Sequence, residues 1–153
     1  MKIRPFRRGD AGGVIELVRA LARDEKLKPP GASASRRLVR DVGRRVRVLV
    51  AEEGGKLVAY AIYLFAYSSF LARPTLYLED IFVLPEHRRV GIGMRFFRTL
   101  VAEAHRRGCG RMEWTVLDWN TPAINFYRKI GARELSEWKT FRLVRDDMGR
   151  LLQ

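Results

Sequence analysis

One cysteine, Cys109, and two histidines, His87 and His105, are all the thiol and imidazole this chain contains. A lone cysteine excludes an internal disulfide framework and any CxxC metal site. Two histidines so far apart argue against a structural zinc, so no metal is expected. Long apolar runs are missing as well. The longest, LVAYAIYLFAY (57–67), is too short to span a bilayer and carries three tyrosines. The opening MKIRPFRRGD has no signal-peptide core. These absences predict a soluble, cytoplasmic protein with no membrane partner. No internal repeat and no low-complexity segment occurs. The string G-x-x-x-x-G-K-[ST] is absent, which argues against a nucleotide triphosphatase. Acidic residues are scarce, at 17 against 30 basic ones, for a formal net charge of +13.

What is present suits a single domain over residues 1–153, with 47% hydrophobic residues to build a core. The charge is uneven. Residues 1–48 hold 14 Lys/Arg and 5 Asp/Glu, and 24 of the 30 basic residues are Arg. Such a field attracts polyanions, or is a solvated Arg-rich surface; composition alone leaves both open.

The patterning predicts a strand at KIRPF (2–6). A helix capped by Asp10 follows to about Glu25, with Val14, Leu17, Val18 and Leu21 inward. Ser33 or Ser35 is expected to cap a second helix to about Arg45. RVLVAEE (47–53) and LVAYAIYLFAYSS (57–69) read as a hairpin around EGGK, and TLYLEDIFVLP (75–85) as a third long strand. Gly91 to Arg107 is helical, burying Ile92, Phe96, Leu100 and Ala104, with Phe97 and Val101 widening the face. RMEWTVLD (111–118) is a buried strand. Thr121 caps a short helix with Pro122 in its first turn and Gly131 at its end. Residues 133–147 are expected to close the fold as a strand pair. The order β-α-α-β-β-β-α-β-α-β-β implies an α/β (α+β) fold: a mixed, mostly antiparallel sheet with helices on both faces.

HRRVGIG (87–93) places two glycines between a strand and a long amphipathic helix. Glycine there permits close backbone approach, and a helix N-terminus favours an anion such as a phosphate. The dinucleotide fingerprint fails because residue 96 is Phe. What remains is R-x-x-G-x-G over Arg88, Gly91 and Gly93.

The strings YLEDIFVLPEHRRVGIG and WTVLDWNTPAINFYRKIGA together resemble the GNAT superfamily of acetyl-CoA-dependent N-acetyltransferases. Within it they are most similar to the diamine (spermidine/spermine) and thialysine acetyltransferase branch. The likeness is strong from Tyr77 to Ala132 and weaker, in register, before it. The resemblance implies the GNAT fold, and acetyl-CoA as co-substrate with its pyrophosphate on the backbone of Arg88, Arg89, Val90, Gly91, Ile92, Gly93 and Met94. It implies a strand that splays at a bulge and pairs Ile81, Phe82 and Val83 with pantetheine, and Asn120 near the pantetheine arm. It assigns Tyr127 as general acid, Glu79 as base through a water, and Asp80 to amine binding. A homodimer completed by FRLV (141–144) is expected on the same ground.

The chemistry explains these residue types. An amine with a solution pKa near ~10 must lose a proton before it attacks. A thiolate leaving group needs a proton, which a phenol still holds at neutral pH. Glu79 and Asp80 sit inside the apolar run YLEDIFV, where a carboxylate is costly; a functional pair or an edge carboxylate plus a salt bridge both answer this. As strand neighbours the two are expected on opposite faces. Cys109, between two glycines, reads as an inert small residue, and His105 as a surface one.

Asp24 and Glu25 are the substrate-side acids expected with Glu79 and Asp80. KLKPPG follows them, and Lys139 stands near the C-terminal turn. With the net charge, these favour a monocationic amine or lysine analogue over spermidine; a peptide N-terminus or an acidic acceptor stays open. Two other classes compete: a nucleic-acid-binding domain, against which no motif appears, and a non-catalytic acyl-CoA-binding module.

Overall fold

The structure, a computed structural model, describes residues 1–153. Residues Met1–Thr115 form one compact unit and Val116–Gln153 a second. The first holds strands β1 (Lys2–Pro5), β2 (Arg47–Glu53), β3 (Lys56–Ser68), β4 (Arg73–Val83) and β5 (Arg111–Glu113), with helices α1 (Ala11–Asp24), α2 (Ala32–Asp41) and α3 (Ile92–Arg106). The strands make one sheet in sequence order, antiparallel except for the parallel pair β4–β5. The mixed, mostly antiparallel sheet is therefore as expected.

The β2–β3 turn follows from its glycines. Gly54 and Gly55 both take positive φ, at 55° and 77°, and Glu53 pairs directly with Lys56. Positive φ at both central residues matches the twist of the flanking strands. β3 is central, and its residues 58–63 are buried throughout.

α1 and α3 cover opposite faces. Val14 and Leu17 of α1 pack on Val48, Val50, Tyr60, Ile62 and Phe82. α3 lies over the other face, where Arg107 stacks on the Phe65 ring at 5.3 Å and Phe97 meets Trp114 at 5.1 Å. Ile92, Phe96, Phe97, Leu100 and Ala104 are buried, but Val101 is exposed. Nine residues at 100° per residue place Val101 about 180° from Ile92, so it cannot share the buried stripe.

Several expected caps and ends differ. Asp10 precedes α1 but makes no side-chain cap to it. Its carboxylate instead accepts from Arg7 N–H at 2.6 Å and binds Arg4 at both oxygens, at 2.7 and 2.9 Å. α2 starts after Gly31, with no side-chain cap from Ser33 or Ser35. Ser33 Oγ accepts from Arg37, and Ser35 is buried. α2 also ends at Asp41, because Gly43 (φ 80°) turns the chain and Asp41 C=O takes the N–H groups of Arg44 and Arg45. β5 stops at Glu113 and does not continue to 118.

The second unit holds α4 (Thr121–Lys129) and α5 (Arg145–Arg150). Asn120, not Thr121, is the cap: its Oδ1 accepts from Ala123 N–H at 3.3 Å. Gly131 ends α4, where Ala132 N–H reaches Tyr127 C=O at 3.0 Å. The expected strand pair over 133–147 is absent; 133–144 carries no strand and 145–150 is helical. β propensity in KTFRLV needs a paired neighbour to become a strand. Phe141, at 92% exposure, has no sheet to pack on, and FRLV is not a strand.

Arg4 ties β1 to the start of α1 and to β2. It also binds Glu52, at 2.6 and 3.0 Å, and its side chain is only 10% exposed. Its guanidinium holds the Asp10 carboxyl below its ordinary range. Replacing Arg4 by Met leaves two carboxylates without their cation, the Asp10 side chain only 10% exposed and that of Glu52 35% exposed. We expect R4M to cost about 2–4 kcal/mol in denaturant unfolding at pH 7. The deficit should shrink as pH falls through the depressed pKa of Asp10, where the wild-type pair is itself lost. A loss below about 0.5 kcal/mol would reduce the network to an ordinary surface cluster.

Candidate active site

The β3–β4 register carries the feature that builds the site. Ile62 pairs with Asp80, but its neighbour Tyr63 pairs with Leu78. Glu79 is the extra residue of a β-bulge in β4. Without it, Leu78 and Asp80 would share a face. With it, Leu78 lies beside Tyr63 on the α3 face, and Asp80 lies beside Ile62 on the α1 face with Phe82. The expectation that Glu79 and Asp80 point to opposite faces rested on unbroken alternation, which the bulge removes.

Asp80 lands on a polar contact inside the core. The Tyr60 hydroxyl, fully buried on β3, donates to Asp80 Oδ2 at 3.1 Å. Burial, with the charges of Glu79 and Glu25, pushes the Asp80 carboxyl up from 3.8 to about 6, against the lowering pull of the Tyr60 hydrogen bond. Burial, and next the charge of Asp80, push the Tyr60 phenol far above its ordinary range, so it stays a donor. Glu25 and Glu79 also bear on that phenol. Three of the expected acids are therefore neighbours. Tyr60 was not among the expected site residues. Its one sequence signal is a hydroxyl in the middle of VAYAI (58–62), whose other side chains are small or apolar.

The fourth acid, Asp24, adjoins Glu25 at the C-terminal end of α1. Burial and the charge of Asp24 raise the Glu25 carboxyl. α1 ends without glycine: Lys26 takes φ 58°, and Leu27 N–H reaches back to Ala22 C=O at 2.8 Å. A helix C-terminus carries partial negative charge, so two carboxylates there favour a cationic partner. Asp24, Glu25, Glu79 and Asp80 make a negative island in a chain of net charge +13.

The second half of the site is the 88–94 loop. Gly91 takes φ 86°, a left-handed backbone that L side chains rarely adopt, and the space around its Cβ position is open. Its demand is conformational, not steric. Arg89 is left-handed as well, at φ 66°, a conformation that costs a non-glycine residue about 1 kcal/mol. Arg95 N–H makes the first bond of α3, to Gly91 C=O at 3.1 Å. The N–H groups of Ile92, Gly93 and Met94, ahead of it, have no intrahelical acceptor, and they lie at the positive end of the helix dipole. Ile92 is buried and Val90 is exposed. Arg88 N–H is committed to Pro85 C=O at 3.2 Å, so that amide does not face a ligand.

Between the two halves runs the outer edge of β4. The β4–β5 ladder covers only Thr75–Tyr77 against Arg111–Glu113. Leu84 N–H donates to Val58 C=O at 3.0 Å, towards β3. Across a trans peptide, Val83 C=O then points the other way, to the outer edge. Strand alternation puts Ile81 and Val83 N–H on that edge and Phe82 N–H towards β3. An extended amide chain fits there, and a pyrophosphate fits the α3 start; the donor set thus suits acetyl-CoA.

The loop is pinned. His87 Nδ1 lies 3.0 Å from Glu53 Oε2. Arg88 Nε donates to Val83 C=O at 2.9 Å and its Nη2 to Asp24 at 3.1 Å, with the guanidinium 5.4 Å above the Phe82 ring. Tyr127 and Asn120 belong to the second unit, on α4 and at its cap. Tyr127 stacks edge-on with Phe126 at 5.7 Å, and half of the Asn120 amide is engaged in capping. Burial raises the Cys109 thiol, as befits a residue without a nucleophilic task.

Known proteins resemble this chain. The Acetyltransferase (GNAT) family matches residues 15–132. Thialysine N-epsilon-acetyltransferase of Sus scrofa is 36% identical over 163 residues, covering 97% of this chain and 95% of that protein. L-ornithine N5-acetyltransferase of Arabidopsis thaliana is 40% identical over 90 residues, covering 59% of this chain and 40% of that protein. An integron cassette protein of V. cholerae superposes with a TM-score of 0.83 at 22% identity, covering 99% of this chain and 97% of that one, which speaks for the fold. The chain belongs to the GNAT family of acetyltransferases.

Proposed function

We propose that this enzyme acetylates the amino group of a small cationic acceptor, with acetyl-CoA as donor, by direct attack of the amine. The observation that carries this reading is the negative island of Asp24, Glu25, Glu79 and Asp80 next to an anion-binding helix start, in a chain that is otherwise strongly basic. An ammonium ion is the group such an island attracts. The names of the similar thialysine and ornithine acetyltransferases support an amino-acid side-chain amine as the acceptor.

Acetyl-CoA supplies an acetyl group activated as a thioester. The N–H groups of Ile92, Gly93 and Met94, and the charge of Arg89, hold its pyrophosphate; Ile81 and Val83 hold the pantetheine amides. Resemblance assigns Asn120 to the pantetheine arm. Asp80, ionised at neutral pH, draws in the ammonium. Glu79, the exposed residue of the bulge, takes the proton through a water. The nitrogen lone pair forms the new N–C bond while a backbone N–H of the outer β4 edge polarises the carbonyl, and the C–S bond breaks. Resemblance gives Tyr127 the proton that the departing sulfur needs.

Thiol release from acetyl-CoA should be seen with thialysine, lysine or ornithine in a panel that includes spermidine, putrescine and short peptides. E79Q should lower kcat about 10²–10⁴-fold, and Y127F should lower it about tenfold or more. Full activity in Y127F beside a loss in E79Q would place the acid elsewhere. Tight acetyl-CoA binding with no turnover on any amine would favour a regulatory module instead.

Asp80 makes the reading sensitive to pH. Its pKa is raised on folding, from 3.8 to about 6. Between these values the folded state binds more protons than the unfolded one, so this carboxyl lowers stability as pH rises from about 4 to 6. D80N should stabilise the protein by about 1–2 kcal/mol at pH 8 and leave it unchanged near pH 3. In wild type, KM for the amine should rise as pH falls below about 6, and D80N should remove that inflection. An unaltered KM profile in D80N would take Asp80 out of amine binding.

A further inference from the structure

We propose that Arg88 sets how many positive charges the acceptor site admits, as a built-in cation that occupies Asp24 and so discriminates against polyamines. This rests on the amine-acetyltransferase reading above. Arg88 stands in the R-x-x-G-x-G motif, where its expected partner is a phosphate. Its guanidinium is turned away from that task. Nε donates to Val83 C=O at 2.9 Å, the plane lies 5.4 Å above the Phe82 ring, and Nη2 meets Asp24 Oδ2 at 3.1 Å. The first two contacts fix the guanidinium whatever Asp24 does. A planar group with several directed N–H donors can serve all three at once; an ammonium could not.

The ion pair is solvent-accessible, with side chains 41% and 42% exposed, so it adds little stability. Its effect is on charge. Of the four acids, Asp24 already has its counter-ion. Glu25 and Asp80 are both held above their ordinary pKa values by burial and by neighbouring carboxylates. The reactive ammonium takes the Asp80 side. A second ammonium, as in spermidine, would need Asp24 and would find a guanidinium fixed beside it. A carbon chain with one cationic end meets no such conflict. Net charge alone does not explain this selection, because it acts on every cation, whereas Arg88 acts where the second charge of a chain would lie.

The test compares kcat/KM for spermidine with that for thialysine at saturating acetyl-CoA. In R88Q, which keeps a donor near Val83 but loses the charge, the spermidine-to-thialysine ratio should rise about five- to tenfold. R88K, whose ammonium keeps the charge but cannot serve all three partners, should raise the ratio less than R88Q does, and R88Q/D24N should return it towards wild type, since the freed carboxylate is then gone. R37Q, an exposed change on α2 with the same loss of charge, should not move it. Damage to the loop would lower both activities and raise KM for acetyl-CoA without moving the ratio. An unchanged ratio in R88Q, or an equal rise in R37Q, overturns the proposal while the acetyltransferase reading stands. Absence of turnover by wild type on either amine overturns both.

Discussion

The site depends on one inserted residue. β4 spends two residues, Glu79 and Asp80, where β3 spends one step from Tyr63 to Ile62. That insertion turns the end of β4 over. Up to Leu78 the strand feeds the core under α3; from Asp80 onward it feeds the core under α1, so that Phe82 joins Val14 and Leu17. A bulge also increases local twist. β4 leaves β5 after Tyr77, ahead of the bulge, and the outer backbone edge beyond is where Ile81 and Val83 present their amides. Removing the extra residue would bury Glu79 and carry Asp80 away from Tyr60. The position of the acids and the opening of the strand edge thus have a common source.

Two helix ends of opposite sign then meet this strand. α3 begins beside its C-terminal end and presents unpaired N–H groups; α1 ends nearby and presents carbonyl groups with Asp24 and Glu25. Each end supplies charge that suits one half of an acyl-transfer reaction, a phosphate-bearing donor and an ammonium-bearing acceptor. The acids repel one another, and burial together with that repulsion raises the carboxyls of Glu25 and Asp80. Strained backbone at Lys26 and Arg89 lies at these same two ends. Unfavourable charge and strained backbone concentrated at two adjoining termini mark a site held ready for ligands more than one optimised for stability.

The sequence revealed the parts that depend on local pattern. Alternation and turn glycines gave β2, β3 and their hairpin, and helical spacing gave the buried faces of α1 and α3. The motif R-x-x-G-x-G located the α3 start. What it hid were the non-local choices. The family resemblance implies the bulge, but the alternation of YLEDIFV does not itself place the extra residue, because whether one is tolerated depends on β3 opposite. Tyr60 looks like core until Asp80 is placed across from it. Asp10, a plausible helix cap, is drawn off by Arg4, whose second partner, Glu52, lies 48 residues away in sequence. The strand pair expected over 133–147 had the right residue types and no ladder to join, since propensity does not supply a neighbour.

The abundance of arginine has a structural component that net charge conceals. Arg4 joins β1, β2 and the turn before α1; Arg88 joins α1, β4 and an aromatic ring; Arg106 and Arg107 share Glu103 on α3, and Arg107 also covers Phe65. Each uses the planar fork to satisfy two or three partners at fixed angles, which the point charge of lysine does not do. With 17 acids for 30 basic side chains, most arginines still lack a carboxylate. Of the four acids gathered at the site, Glu25, Glu79 and Asp80 form no ion pair with that excess. Arg88 is the exception, and its hold on Asp24 alone is what divides the island into one part that is spoken for and another left open to an amine.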